Sequence, residues 1–297
     1  MIRSRAQAIL PELTAIRRDL HRYAEPGWLD LGYEVLTGPA VCKADARMGL
    51  PSDDALEAHY KWAQENGADP EFLPATRGGF TGVIATMHCG EGPTIALRFD
   101  IDALGVLEAD DETHLPAREG FRSVTPGIMH ACGHDGHAAI GIGTAMLLRE
   151  LRDQLHGTVR LIFQPAEEGV RGASSIVAAG HLDDADYALA AHVFPAGKAA
   201  GLVDVGVLAE NGTGGLATSK LDVTFHGRSA HAGIAPQEGR NALLAAATVV
   251  LNLHAIPRYG NTPTQLNVGT LHAGTGRNVI CETAKLELEV RGQTTEA

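Results

Sequence analysis

The sequence lacks an excess of basic residues, a disulfide framework and any long apolar run. Its 297 residues include 24 Lys and Arg against 36 Asp and Glu, so the net charge is −12 at pH 7 with histidine neutral. Nucleic-acid binding needs a basic face, and this charge therefore argues against a nucleic-acid partner. The cysteines are scattered without framework spacing, which favours free thiols in a reducing compartment. They are Cys42, Cys89, Cys132 and Cys281.

The N-terminal residues do not have the pattern of a signal peptide, because charges are spread through them and no apolar core interrupts them. Ile9, Leu13, Ile16 and Leu20 recur at helical spacing and predict a helix with one buried stripe. No apolar run in the sequence reaches the length needed to cross a bilayer. We therefore expect a cytoplasmic protein without membrane contact.

Short apolar runs alternate with helical stretches between residues 79 and 191. Buried strands are predicted at 82–87, 94–99, 158–163 and 187–191, and a long apolar helix at 137–151. This alternation predicts an α/β fold in which helices cover a mostly parallel sheet.

The pattern changes after residue 210. Alternating strands are predicted at 216–225, 265–273 and 285–291, with a helix at 241–254. The order predicts a small α+β domain joined by a hinge near 210–215. The glycine cluster NGTGG there lacks the strand and helix that flank a phosphate-binding loop, so we interpret it as the hinge. We expect one domain over 1–213 and a second over 214–297.

The run MHACGHDGH, residues 129–137, is the densest group of chemically active side chains. It places Cys132, His134 and His137 beside Asp135. Thiolate, imidazole and carboxylate groups are the side chains that bind transition metals in proteins. The run alone leaves open whether such a metal is structural or catalytic.

Other active side chains follow three of the predicted strands. Ligands of open α/β sheets bind at the carboxyl ends of the strands, so residues that follow several strands converge on one rim. Here the strands run into Asp100 and Asp102, into Glu167 and Glu168, and into His192. The sequence therefore predicts that these residues and the Cys132 run form one site.

Each of these residues also has a simpler interpretation. A lone histidine is most often structural, adjacent glutamates usually form a solvated turn, and a lone cysteine is usually a small buried side chain. A second functional alternative makes Cys132 a nucleophile with His134 as its base. Two positions apart on a loop is a poor geometry for that pair, and it leaves Glu167 and Glu168 unexplained. A metal site gives a role to all of these residues, because some bind the metal and a carboxylate takes the proton of an activated water.

Three segments carry a resemblance to a known family: HACGHDGH, IFQPAEEGVRGA and SAHAGIAPQEGRNALLAAA. Together they resemble the amidohydrolase branch of the dinuclear aminoacylase- and carboxypeptidase-type metallopeptidases, over about residues 16–291. KADARMGLP, GGFTGVIAT and GTGRNVI narrow the resemblance to hydrolases of p-aminobenzoyl-glutamate. It implies a zinc-peptidase-like catalytic domain with a smaller lid and dimerisation domain, and hydrolysis of an N-acyl amino acid.

The resemblance also implies roles for residues near the predicted rim. Cys132 would be a thiolate bridging two divalent metal ions, with His134, Glu168 and His192 as further ligands. Glu167 would be the general base and later the general acid. Asp102 would orient a ligand. Softness of the thiolate and imidazoles favours Zn²⁺, whereas the carboxylate and the resemblance favour Mn²⁺.

For the second domain the resemblance implies contact with substrate and with another protomer. His231 would stabilise the oxyanion in the active site of a partner protomer. The assembly would be a homodimer, or a hetero-oligomer with a related subunit. Arg277, Asn278 and Arg240 are weaker candidates for binding the glutamate carboxylates of the substrate, and surface polar groups are an equally good interpretation of them.

The sequence departs from the family pattern at two points. The family supplies one further histidine ligand from a C-terminal segment of the catalytic domain, for which this sequence offers no candidate. A helix expected between Trp28 and Gly32 is replaced by the direct junction LDLGYEVLTG. The alternative expectation is therefore a non-catalytic or inactive fragment or subunit that keeps an incomplete metal site.

Overall fold

The computed structural model describes residues 2–23, 34–37, 53–65, 70, 73–78, 81–168, 172–193, 216–257 and 264–294. The chain divides into two compact units, Met1–Leu202 and Val203–Ala297. The predicted hinge at 210–215 and residues 29–33 of the junction after Trp28 lie outside the described residues, and the domain boundary at 213 remains a prediction. No helix in the described ranges is long and apolar enough to cross a membrane.

The first unit alternates helices with the strands of one sheet. Its helices are α1 (Ile2–Tyr23), α2 (Asp53–Glu65), α3 (Leu115–Arg118), α4 (His134–Glu150) and α5 (Gly172–Ala178), with 3₁₀ turns at Leu73–Thr76 and Arg152–Gln154. Its strands are β1 (Glu34–Thr37), β2 (Val83–His88), β3 (Thr94–Asp100), β4 (Thr158–Gln164) and β5 (Tyr187–Ala190). The four predicted strands agree with β2 to β5 within one residue at each end.

The sheet of the first unit has the strand order β1-β2-β4-β3-β5. β3 runs parallel to β4 and β5, whereas β2 is antiparallel to both β4 and β1. Four of these five strands therefore point the same way, and the mostly parallel α/β fold is confirmed. Asp100 is in register with Gln164, which places the carboxyl ends of β3 and β4 side by side.

Apolar side chains pack on both faces of this sheet. On one face α4 and α1 cover Leu161 and Phe163, which are fully buried. Gly141 allows the close approach of α4, since a Cβ there would lie 2.6 Å from Cε1 of Phe163. On the other face Ile162 packs with Ile176 of α5. The alternation of Leu161, Ile162 and Phe163 between the two clusters is the period of a strand buried on both faces.

β5 is less buried than its sequence predicts. Tyr187 is 62% exposed and Leu189 is 63% exposed, although the apolar run 187–191 is typical of a buried strand. β5 lies at the edge of the sheet, and within the described ranges only β3 pairs with it. The prediction of a strand is correct and that of its burial is wrong, because apolarity alone does not show which element covers a strand.

The second unit is a three-stranded antiparallel sheet with one helix. It consists of β6 (Ala217–His226), α6 (Ala242–His254), β7 (Gln265–Ala273) and β8 (Thr283–Gly292), with a 3₁₀ turn at Pro236–Glu238 and the strand order β6-β8-β7. Asn241 caps α6 by accepting hydrogen bonds from the backbone N–H groups of Leu243 and Leu244. Ala246 of α6 and Leu286 of β8 are buried together in its core.

Candidate metal centre

The residues predicted to share one rim do lie close together. Two groups have potential ligand atoms that all lie within 4.8 Å of one another. One group is Cys132, His134 and Glu168, and the other is Asp100, His134, His137 and His192. These side chains come from the end of β3, the start of α4, the turn after β4 and the segment after β5, as the strand-end argument predicts.

His134, the first residue of α4, provides the test of whether a metal ion fits. Its Nδ1 donates a hydrogen bond to the backbone oxygen of Asp102 at 2.8 Å, so the lone pair of neutral imidazole is on Nε2. That Nε2 atom is buried and has no hydrogen-bond partner among the described residues. Carboxylate oxygens of Glu167 and Glu168 each lie 3.9 Å from it. A buried lone pair facing carboxylates is a fitting environment for a divalent cation.

The electrostatics of the rim favour positive charge. Burial lowers the pKa of His134, but its contact with Asp102 and the charge of Asp100 raise it more, so the net pKa is above its ordinary value. Burial and the nearby carboxylates of Glu168, Glu167 and Asp100 raise the pKa of Cys132 to about 12. Without a cation this thiol stays protonated, which argues against Cys132 as a free nucleophile.

The backbone conformations of Gly133 and Ala166 orient the neighbouring candidate ligands. Gly133 precedes α4 with a φ of 88°, and a Cβ on it would lie 2.6 Å from Cγ2 of Val193. Only glycine adopts this conformation without strain, which explains why a glycine lies between Cys132 and His134. Ala166 has a φ of 53°, and this left-handed residue turns the chain after β4 so that the glutamates face His134.

Asp102 contacts two of the predicted ligands. Besides its carbonyl bond to His134, its Oδ2 accepts a hydrogen bond from the backbone N–H of Glu168 at 3.0 Å. Burial raises the pKa of Asp102, but the contact with His134 and the backbone N–H donors lower it more, so the carboxylate stays ionised. A third predicted ligand, His192, lies with its Nε2 3.5 Å from Sγ of Cys132.

A buried charge network beside the rim was not predicted. His21 of α1 is 2% exposed and contacts two carboxylates at 2.9 Å, through Nδ1 to Asp135 and through Nε2 to Glu108. Arg17 lies 2.7 Å from the same Asp135 oxygen. Arg17 and His21 are four positions apart on one face of α1, and this spacing was the available sequence signal.

The predicted residues of the second unit all lie in loops at one end of its sheet. His231, Arg240, Arg277 and Asn278 are exposed. The backbone of His231 forms an isolated antiparallel β-bridge with the backbone of Val279. The backbone N–H of Ala232 donates to the carbonyl of Asn278 at 2.9 Å. His231 and Asn278 are therefore neighbours. Their functional roles remain predictions.

Comparison with known proteins gives matches that include all the candidate site residues. Residues 96–280 match the model of "Peptidase family M20/M25/M40". The chain is 49% identical to indole-3-acetyl-aspartic acid hydrolase of Enterobacter agglomerans and 45% identical to one subunit of the p-aminobenzoyl-glutamate hydrolase of Escherichia coli. Each match covers 96% of this chain and 67% of the relative, so the chain spans about two thirds of their length.

A solved structure shows the same fold. The aminobenzoyl-glutamate utilization protein from Klebsiella pneumoniae superposes with a TM-score of 0.68 at 40% sequence identity. The match covers 100% of this chain and 70% of that protein.

Proposed function

The chain belongs to peptidase family M20/M25/M40, and we propose that it hydrolyses the amide bond between an aromatic acid and an acidic amino acid, with p-aminobenzoyl-glutamate as substrate. The observation that carries the proposal is the buried Nε2 of His134, which has no hydrogen-bond partner in the described part of the chain and lies near two carboxylates at one sheet rim. That rim supplies both a cation site and a proton acceptor, which amide hydrolysis needs.

The cofactor in this proposal is a pair of divalent metal ions, Mn²⁺ or Zn²⁺. Cys132, His134, Glu168 and His192 would hold them, since each has a ligand atom in one of the two groups at the rim. Ions at such a site lower the pKa of water and polarise a carbonyl group.

The side chains of the chain divide the remaining work. Glu167, 37% exposed, takes the proton of the attacking water and later gives it to the leaving amine. Asp102 keeps His134 in the tautomer whose Nε2 is free. His231 stabilises the oxyanion in the active site of a neighbouring protomer. Arg277, Asn278 and Arg240 bind the substrate carboxylates, because guanidinium and amide groups donate in pairs to carboxylate oxygens.

The names of two relatives support the substrate class. The substrate in each name is an aromatic acyl group joined to aspartate or glutamate. The first assay is hydrolysis of p-aminobenzoyl-glutamate, indole-3-acetyl-aspartate and N-acetyl-cysteine by the purified protein. We expect kcat/KM to be highest for p-aminobenzoyl-glutamate and lowest for N-acetyl-cysteine. A higher value for indole-3-acetyl-aspartate would reassign the acyl group, and a preference for N-acetyl-cysteine would overturn the proposal.

The assembly in this proposal is a homodimer or a hetero-oligomer with a related subunit, formed through the second unit, and its location is the cytoplasm. The name of the Escherichia coli relative describes one subunit of a hydrolase, which supports a multi-subunit enzyme. Light scattering of the purified protein, by itself and with candidate subunits, measures the assembly. A monomer under every condition would contradict it.

Metal stoichiometry is the decisive test of the site. We expect elemental analysis, after removal of loosely bound ions, to find about two ions per chain. Absence of bound metal would overturn the proposal and favour a non-catalytic chain that keeps an incomplete site.

A further inference from the structure

His137 has both ring nitrogens occupied by protein groups. It is 3% exposed, and its Nε2 accepts a hydrogen bond from the backbone N–H of Val193 at 2.8 Å. A neutral imidazole that accepts at Nε2 carries its proton on Nδ1, and that nitrogen donates to Oδ1 of Asp100. The lone pair that a metal ligand needs is therefore already used.

Asp100 is held by Arg98 of the same strand, and Arg98 is in turn bonded to the neighbouring strand. Asp100 is fully buried at the end of β3, and Nη1 of Arg98 lies 2.7 Å from its Oδ2. Nε of Arg98 donates to Oε1 of Gln164, the last residue of β4, at 2.8 Å. The proton on Nδ1 of His137 thus points at a carboxylate that the sheet holds in place.

The segment after β5 is anchored on the start of α4 at more than one point. Val193 is bonded through its N–H to His137, and its side chain occupies the space that a Cβ on Gly133 would fill. The ring centroids of His137 and His192 are 4.5 Å apart, with the planes at 78°. Val193 directly follows His192, so fixing this backbone also fixes where the imidazole of His192 can reach.

We propose that His137 is a positioning residue: held by Asp100, it anchors the Val193 backbone on the start of α4 and thereby places His192 against Cys132. The inference rests on the proposed metal site. The larger of the two ligand groups then contains residues of two kinds. His134 and His192 bind metal, whereas His137 and Asp100 hold the segment that carries His192.

The test compares His137→Phe with the unaltered protein, because phenylalanine keeps a ring and loses both hydrogen bonds. We expect hydrogen exchange of the 190–193 backbone to rise in the metal-free protein, since the Val193 N–H loses its acceptor. Affinity for Zn²⁺ and for Mn²⁺, measured against a competing chelator, should fall about 10–100-fold. Metal stoichiometry at saturation should stay unchanged, because no ligand is removed.

His137→Gln is the conservative variant, since its amide oxygen reaches the region of Nε2 and can accept from Val193. It should restore most of the exchange protection and part of the metal affinity. Gly133→Ala tests the other anchor point, because its Cβ would meet Val193 and not His137. It should raise exchange at 190–193. Exchange is the readout for this variant, because the residue at 133 also sets the backbone between Cys132 and His134.

Ile176→Ala is the control for general destabilisation. Ile176 is 2% exposed and packs on the opposite face of the sheet, so its truncation should lower stability and leave metal affinity unchanged. Loss of one ion at saturation in His137→Phe would make His137 a ligand and overturn the proposal. Unchanged exchange at 190–193, or raised exchange with unchanged affinity, would also overturn it. If the unaltered protein binds no metal, the proposed function fails, whereas exchange in the metal-free protein still decides whether the anchor exists.

Discussion

Glu167 is the residue on which the proposed proton transfer depends. It faces His134 from the left-handed turn at Ala166 but does not belong to either group of potential metal ligands. Glu167→Gln keeps the shape of the side chain and removes the proton acceptor. We expect kcat to fall by about 10²–10⁴-fold with metal content unchanged. Turnover that persists in this variant would show that another group is the base.

Glu168→Gln is the matched comparison, because the neighbouring glutamate is the proposed ligand. This variant should lose metal as well as activity. Elemental analysis of the two purified variants distinguishes the roles, and equal metal loss in both would contradict the division between them.

Cys132 is the residue whose protonation should depend most on a bound cation. Burial and carboxylates raise the pKa of its thiol to about 12, and only positive charge nearby makes the thiolate accessible at neutral pH. Cys132→Ser replaces a soft ligand by a hydroxyl, and we expect metal affinity to fall by at least about tenfold. Isothermal titration with Zn²⁺ measures this. Cys89→Ser, a free cysteine outside both ligand groups, should bind normally.

Among the helices, α1 and α4 are connected by the network centred on His21. Burial lowers the pKa of His21, but the bonds to Asp135 and Glu108 raise it more, so its net pKa lies above the ordinary 6.5. Protonated His21 therefore stabilises the fold fully below about pH 6.5, and this contribution is lost as the pH rises through the raised value. The two carboxylates have lowered pKa values, so their contribution is lost only on acidification.

His21→Gln should consequently cost most under mildly acidic conditions. The glutamine removes the positive charge between Asp135 and Glu108, which keep Arg17 and His114 as neighbours, so we expect a loss of about 1–3 kcal/mol. Urea unfolding of the metal-free protein should show this loss near pH 6 and a smaller loss near pH 9. A difference that grows with pH would contradict the assignment of charge to His21. Arg5→Gln, which breaks an exposed pair with Glu150, should cost little at either pH.

The strands and helices themselves were largely predictable, for a physical reason. β4 is an apolar run buried on both faces, and β3 is a partly buried apolar run beside it; such runs are visible in sequence without a partner. α4 begins at His134 rather than at the predicted 137, because its first turn is polar yet buried at the rim. β1 was missed because a four-residue strand, Glu34–Thr37, has too little pattern to detect.

The parts of the site that lie at strand ends were predictable. The contacts made by packing of elements distant in sequence were not. Asp102, Glu168 and His192 each follow a strand, so their convergence follows from sheet topology. His21 and Asp135 are 114 positions apart, and no local pattern links them. Likewise, the sequence places His137 in the motif with His134 but does not show that its nitrogens are bonded to Asp100 and Val193.

Across the whole chain, the proposed ligands are confined to one of the two compact units. Cys132, His134, Glu168 and His192 all belong to Met1–Leu202. A ligand stabilises only what unfolds with its site, by about 2.7 kcal/mol when its free concentration is a hundredfold above Kd. We therefore expect Zn²⁺ or Mn²⁺ to slow hydrogen exchange in the core strands β3 and β4, and not in β6 and β8. Chelation should reverse the effect. Equal protection of β6 and β8 would mean that Val203–Ala297 contributes a ligand or unfolds together with the first unit, and loss of the effect in Cys132→Ser would tie it to the proposed site.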